Sequence, residues 1–314
     1  MNFCSFRHGF ERVAFLTKFV MSPNQNPDPK LKKETENAIA QLALALVRIK
    51  DADTLEGLIA WCKACFGPSR RGKNCVPIQT NWLKPLVAQC KGRLQRAVEE
   101  YKAVISTRLS DDEVPMESGV LQVIAEQGAE CLISLGNWSR VQSWVTETEY
   151  VLAQQATAAR AHSWNLSLAR VYAEALQAYE KEDYNGAHQR LSGFLAVAKW
   201  DSLALDWTDS YACLKLSETL LLDAMCTWRL MEDVSNPATM NKTSLLFELR
   251  KKLTVARQIL EAPLALISDE SLRVAHPFLV QLHCVKLVEN HIEGKSQVSK
   301  QPTLLGKVAR LDPN

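Results

Sequence analysis

Residues 164–200, WNLSLARVYAEALQAYEKEDYNGAHQRLSGFLAVAKW, spell two short amphipathic segments joined by a charged turn. In the first half Leu168, Tyr172, Ala175 and Tyr179 recur at steps of four, three and four, which places them on one side of a 3.6-residue helix. Tyr184, Ala187, Leu191, Phe194 and Ala198 do the same in the second half. Lys181, Glu182 and Asp183 interrupt the apolar pattern, and Asp183 is placed to accept the free N–H groups of the second helix as its N-cap. The stretch therefore predicts an αα-hairpin. Two helices of about 15 residues bury too little apolar surface alone, so such a hairpin needs neighbours of its own kind.

The second helix supplies a pattern to search for: an apolar residue, a small or apolar one three later, and an apolar one four after that. Leu55, Leu58 and Cys62 fit it, as do Leu94, Ala97 and Tyr101; Trp138, Val141 and Val145; Tyr184, Ala187 and Leu191; and Leu253, Ala256 and Leu260. The successive starts lie 39, 44, 46 and 69 residues apart. That spacing belongs to paired-helix repeats of the HEAT and tetratricopeptide kinds, with a long insertion before the last. The expected fold is all-α, an α-solenoid of antiparallel helical hairpins, HEAT- or tetratricopeptide-like.

Composition agrees. Gly and Pro number 12 each in 314 residues, while Ala, Leu, Glu, Lys and Gln, all good helix formers, are abundant. The 37 basic and 35 acidic side chains leave a net charge of +2, so no global field points to nucleic acid or a membrane surface. No run approaches the roughly 20 apolar residues of a membrane span, and the expectation is a soluble protein without direct nucleic-acid or membrane contact. Nine cysteines spread through helical patterns suggest free thiols in a reducing compartment, the cytoplasm or also the nucleus. Phe3 to Met21, with Arg7, Arg12 and Lys18, has the look of a mitochondrial presequence, but Glu11 interrupts it and a repeat helix reads the same way.

In order along the chain, residues 1–21 form an N-terminal helix that ends at a connector holding Pro23, Pro27 and Pro29. Residues 30–293 form the helical-repeat region, and 294–314 a polar, disordered tail in which Ser296-Gln297 is a weak phosphorylation signal. Within the repeat region, turns are expected at Lys50–Asp53, Gly92 and Gly136–Asn137, with Asn81 as a helix N-cap and Pro85 in the first turn behind it. Leu203 to Met231 is apolar nearly all round, the mark of a helix buried on several sides. Helix is expected again over Leu245 to Leu260 and, beyond Pro263 and Pro277, to about Ile292.

Few residues suggest chemistry. Cys62 and Cys65 make a C-x-x-C, followed by Cys75 and Cys90, but no second close pair completes a zinc site, and Trp61, Cys62, Cys65 and Phe66 share an apolar helical face. Core thiols are the expected reading. Arg70, Arg71 and Lys73, with Lys91, Arg93 and Arg96, are the candidate patch for a phosphate-rich ligand or an acidic partner, against the alternative of a solvated loop and a polar helix face. The sequence holds no G-x-x-x-x-G-K-[ST], G-x-G-x-x-G, H-R-D or D-F-G motif, and its six histidines include no metal-ligand i, i+4 pair. No catalytic residue and no cofactor are assigned.

At the turns Leu135-Gly136-Asn137-Trp138 and Lys181-Glu182-Asp183-Tyr184, set between Ala- and Leu-rich helices, the chain resembles the FAT region of the phosphatidylinositol-3-kinase-related protein kinases. Within them it is most similar to the branch acting in nonsense-mediated mRNA decay. The resemblance spans about Leu31 to Ile292 and rests on texture. It implies a curved solenoid that follows a HEAT-repeat arm and clasps a serine/threonine kinase domain. The partners it implies are that kinase domain and its complex subunits. The chain's length and missing kinase motifs imply a fragment or truncated isoform that supplies scaffold and partner surface. An independent tetratricopeptide-type adaptor binding peptide segments is the alternative, and an enzyme assembled from scattered residues ranks behind both.

Overall fold

The computed structural model describes residues 29–66, 78–106, 117–155, 164–198, 210–232, 242–267 and 272–292. The expected N-terminal helix over 1–21 and the tail over 294–314 lie outside these residues, as does Leu203 to Asp209 of the long apolar stretch. Helix accounts for 91% of what is described, with no strand among those residues. Eleven helices are described: α1 (Pro29–Arg48), α2 (Ala52–Phe66), α3 (Leu83–Cys90), α4 (Leu94–Ser106), α5 (Ser118–Ser134), α6 (Trp138–Gln155), α7 (Trp164–Glu180), α8 (Tyr184–Ala198), α9 (Ser210–Glu232), α10 (Lys242–Ile267) and α11 (Leu272–Ile292). Among the described helices, none is long and apolar enough to cross a membrane. The chain divides into two compact units between Ala169 and Arg170, within α7.

One turn is built four times. After α1, α3, α5 and α7 the backbone enters the left-handed region at Lys50 (φ 54°), Gly92 (φ 69°), Gly136 (φ 67°) and Glu182 (φ 63°). Each of these N–H groups donates to the carbonyl three residues back: Lys50 to Val47, Gly92 to Gln89, Gly136 to Ile133 and Glu182 to Tyr179, at 2.9–3.0 Å. The next N–H donates five back, Asp51 to Leu46, Arg93 to Ala88, Asn137 to Leu132 and Asp183 to Ala178, again at 2.9–3.0 Å. This paired bonding is the Schellman motif, which satisfies carbonyls that a helix end otherwise leaves open. The left-handed residues fall 42, 44 and 46 residues apart.

The residue after each left-handed position heads the following helix. Asp51 Oδ1 accepts from the Thr54 N–H at 3.0 Å, and Asp183 Oδ1 from the Gly186 N–H at 2.9 Å, so Asp183 is the N-cap its position predicts. Four residues beyond each heading residue stand Leu55, Ala97, Val141 and Ala187, all fully buried; eight beyond stand Ile59, Tyr101, Val145 and Leu191, buried as well. Counted from the turn, the first repeat begins at Ala52. The apolar triplet starting at Leu55 is therefore one position of the pattern late, and the first interval is 42 residues and not 39. The sequence pattern slips because Leu55, Leu58 and Cys62 happen to satisfy the same spacing one register on.

In the unit holding α1 to α6, α1 packs on α2, α3 and α5, and the chain of contacts continues α2 to α3, α3 to α4, α4 to α5 and α5 to α6. The α1–α5 contact has a simple origin. The eight residues of α3 span about 12 Å and the 20 of α1 about 30 Å, so α1 overhangs its neighbour. There Asn37 Oδ1 lies 2.8 Å from where a Cβ on Gly119 would stand, and Lys33 pairs with Glu117 at 3.7 Å. Between α5 and α6 the Trp144 ring presses on Gly128, with Cζ2 only 2.2 Å from the position of a Cβ, while the indole N–H donates to the Ala125 carbonyl at 2.8 Å. The fully buried Tyr101 donates to Gln89 Oε1 at 2.7 Å, and Gln89 Nε2 donates to Gln127 Oε1 at 3.0 Å, tying α4, α3 and α5.

In the other unit α9 is the axis, packed by α8, α10 and α11, with α10 also on α11. Its apolar residues are buried around most of its circumference, including Leu216, Leu220, Leu221, Leu222 and Ala224, as the sequence predicts. Across the α7–α8 turn the rings of Tyr179 and Tyr184 meet edge to face at 5.1 Å. Three expectations need correction. Pro263 and Pro277 do not bound helices but lie inside α10 and α11. An interior proline costs about 3 kcal/mol, and burial of Leu249, Leu253, Ala256, Ile259 and Leu260 on α10 offsets it. At α3 the cap position belongs to Trp82 and not Asn81: Trp82 has helical dihedrals, makes no side-chain cap bond, and turns its indole N–H to the Gln79 carbonyl at 2.9 Å.

Candidate functional site

The basic patch is met only in part by the described residues. Arg70, Arg71 and Lys73 lie outside them. Lys91, Arg93 and Arg96 come together at the α3–α4 turn, all exposed. Lys91 Nζ is 2.5 Å from Glu56 Oε1 on α2, and Arg96 Nε is 2.7 Å from Glu100 Oε1 one turn along α4. Each such surface pair is worth about 0–1 kcal/mol, but each sets a carboxylate beside a cation that an anionic ligand would otherwise meet. Arg93 stands at the heading position of α4, where the equivalent residues are Asp51, Asn137 and Asp183. Having no acceptor, its side chain cannot cap the helix.

The cysteines behave as core. Cys62 is buried, and burial, reinforced by Cys65, pushes its thiol up to about 12. The half-buried Cys90 is pushed up to about 11 by burial and Asp51. Thiols held neutral pack as small apolar groups. Cys75 lies outside the described residues. Among the described residues no group of three or more His, Cys, Asp and Glu is placed to hold a metal.

Among the described residues, sequence reasoning passed over a buried ionisable cluster. Asp223, in the middle of α9, is fully buried. Its Oδ1 lies 2.7 Å from His188 Nδ1 on α8, and its Oδ2 is 2.7 Å from Lys252 Nζ on α10, so three helices converge on one carboxylate. Lys252, itself buried, also approaches Thr227 Oγ1 at 3.4 Å, and Thr227 Oγ1 donates to the Asp223 carbonyl at 2.8 Å. Next to the cluster, burial and then the Asp223 charge push the Cys226 thiol up to about 12, against the opposing effect of Lys252. A buried charge without partners costs several kcal/mol; here the imidazole bonds one carboxylate oxygen, and the Lys252 ammonium supplies the counter-charge at the other, which accepts no hydrogen bond of good geometry. One signal was available: a lone Asp in Leu-Leu-Leu-Asp-Ala-Met-Cys, on a helix apolar all round, is forced inside and must be paired. The cluster binds helix to helix, and it offers no nucleophile in an activating position.

Compared with known proteins, residues 4–180, more than half of the chain, match the family model described as serine/threonine-protein kinase smg-1. The chain belongs to the smg-1 family. It is 27% identical over 229 residues to the serine/threonine-protein kinase Smg1 of Drosophila melanogaster, covering 71% of this chain and 6% of that protein. To the SMG1 kinase of Danio rerio it is 22% identical over 221 residues, 59% of this chain and 5% of that protein. The chain thus matches a small segment of two smg-1 kinases, about one-twentieth of their length. No solved structure matches significantly. The kinship with a kinase of this group, implied by the turns at Gly136 and Glu182, is established by these matches.

Proposed function

We propose that the chain is a non-catalytic helical scaffold segment of an smg-1-type serine/threonine kinase acting in nonsense-mediated mRNA decay, and that its hairpins stack as a solenoid presenting surface to protein partners. The observation that carries this reading is the turn built four times at intervals of 42, 44 and 46 residues, each followed by the same buried positions. Such regular pairs of helices bury their faces against their neighbours and leave long surfaces for other proteins. The kinase domain of the parent and the subunits of its complex are the partners this reading names, in cytoplasm and also nucleus. Two positions in the parent suit a stack of this kind, the HEAT arm and the FAT region beside the kinase domain, and the resemblance of the turns favours the second.

The test is affinity purification of the 314-residue chain from cell extract with mass spectrometry, beside circular dichroism of the purified protein. Strong helicity with recovery of decay-complex subunits supports the scaffold. Crosslinks from α7 and α8 to the kinase domain place it in the FAT region, and crosslinks to other helical repeats alone place it in the arm. A folded chain that recovers no decay component overturns the reading, and one that instead captures peptide segments of other proteins makes it a tetratricopeptide-type adaptor.

A further inference from the structure

We propose that α8 is a releasable strap over the buried Asp223–Lys252 pair, latched by His188. Three observations converge on this helix. Its burial is slight: Ala187, Leu191 and Leu195 are its buried side chains among the described positions, whereas α9, on which it lies, buries eleven. Its own backbone is weakly helical, with Gly186 and Gly193 in 15 residues, and Gly193 faces open space with nothing within 4 Å of an added Cβ. Among the described residues its polar tie to α9 is the hydrogen bond from His188 Nδ1 to Asp223 Oδ1 at 2.7 Å, beside a looser surface ion pair from Arg190 to Glu174 on α7 at 3.9 Å.

The carboxylate is arranged so that this tie can break without stranding a charge. Lys252 holds the opposite oxygen at 2.7 Å from α10, which packs on α9 independently of α8. When α8 lifts, water replaces His188 at Oδ1 and the ion pair between α9 and α10 stays whole. Loss of Lys252 has no such remedy, because it leaves the carboxylate in the α9–α10 seam without its counter-charge. The cluster is therefore asymmetric: Lys252 is a permanent partner and His188 a removable one. Elements that open locally are those with few buried contacts and few ties, and opening here exposes Asp223 Oδ1 to water.

Native-state hydrogen exchange of the 314-residue chain tests the strap. In the wild type the amides of Ala187, Leu191 and Leu195 are expected to exchange at least about tenfold faster than those of Leu220 and Ala224 on α9 and Leu253 and Ala256 on α10. His188→Ala is expected to speed the α8 amides by about a further tenfold, the order of a charge-assisted hydrogen bond, with the α9 and α10 amides unchanged. His188→Gln, which keeps a donor and disturbs packing least, is expected to fall between the two. Equal rates on α8, α9 and α10 in the wild type overturn the strap. A uniform acceleration of all three helices in His188→Ala, or no change in α8 there, overturns the latch.

Discussion

The first eight helices and the last three are specified by different kinds of information. From α1 to α8 every second connection is the same turn, made by backbone hydrogen bonds and a left-handed residue, and the core positions keep step with it. From α9 to α11 the helices are longer, two contain proline, and a carboxylate inside the packing is matched by side chains distant in sequence. The turns of the first part are set locally, by residues adjacent in sequence, while contacts such as Gln89 to Gln127 join its helices. The second is set by helices that must first meet. Local specification survives the loss of any one contact far better than a buried ionic cluster does.

The contrast can be broken most severely at Lys252. Lys252→Ala leaves Asp223 buried without its counter-charge and should cost about 3–5 kcal/mol; urea unfolding should show the loss, and the double variant Lys252→Met with Asp223→Leu should recover most of it. Gly128→Ala is the corresponding blow to the repeated part. The added methyl meets the Trp144 ring, and despite a helix-propensity gain the net loss should be about 1–3 kcal/mol. Gly193→Ala, with open space around it, should stabilise by about 0.5–1 kcal/mol, so opposite signs in thermal unfolding test whether contact or propensity decides.

Smaller effects probe the turn itself. Asp183→Ala removes the acceptor of the Gly186 N–H and should cost about 0.5–2 kcal/mol, whereas Arg93→Asp installs the cap that the second turn lacks and should stabilise by up to about 1 kcal/mol. Differential scanning calorimetry of the two variants reads both signs, and a destabilised Arg93→Asp would show that this turn is not equivalent to the others. Glu182→Gly relieves a left-handed non-glycine residue and should shift stability least, by a gain of less than about 1 kcal/mol.

The legibility of the sequence follows the same division. Charged or Gly-containing turns at Lys50, Gly92, Gly136 and Glu182 were visible because each interrupts an apolar period and carries the residue types that end or start helices. The first interval was misjudged because apolar spacing alone has several registers, and only the turn selects one. Pro263 and Pro277 misled because a local rule about proline yields to tertiary packing. The His188–Asp223–Lys252 cluster was missed because its members stand 35 and 29 residues apart on three helices, and no local pattern joins them. Of the candidate patch, the structure brings Lys91, Arg93 and Arg96 to one turn; Glu100 stands four residues from Arg96 on the same helix and is legible from the periodicity, whereas the Glu56 partner of Lys91, on another helix, is not.

The left-handed position is held by glycine in two turns and by lysine and glutamate in the other two. The bonds that define the turn run between backbone atoms, so almost any side chain can be substituted there at a cost of a kilocalorie or so. A joint of that kind lets its sequence drift while its angle stays fixed. A chain built on such joints can change the residues at every turn and keep the bonds that set where each helix ends.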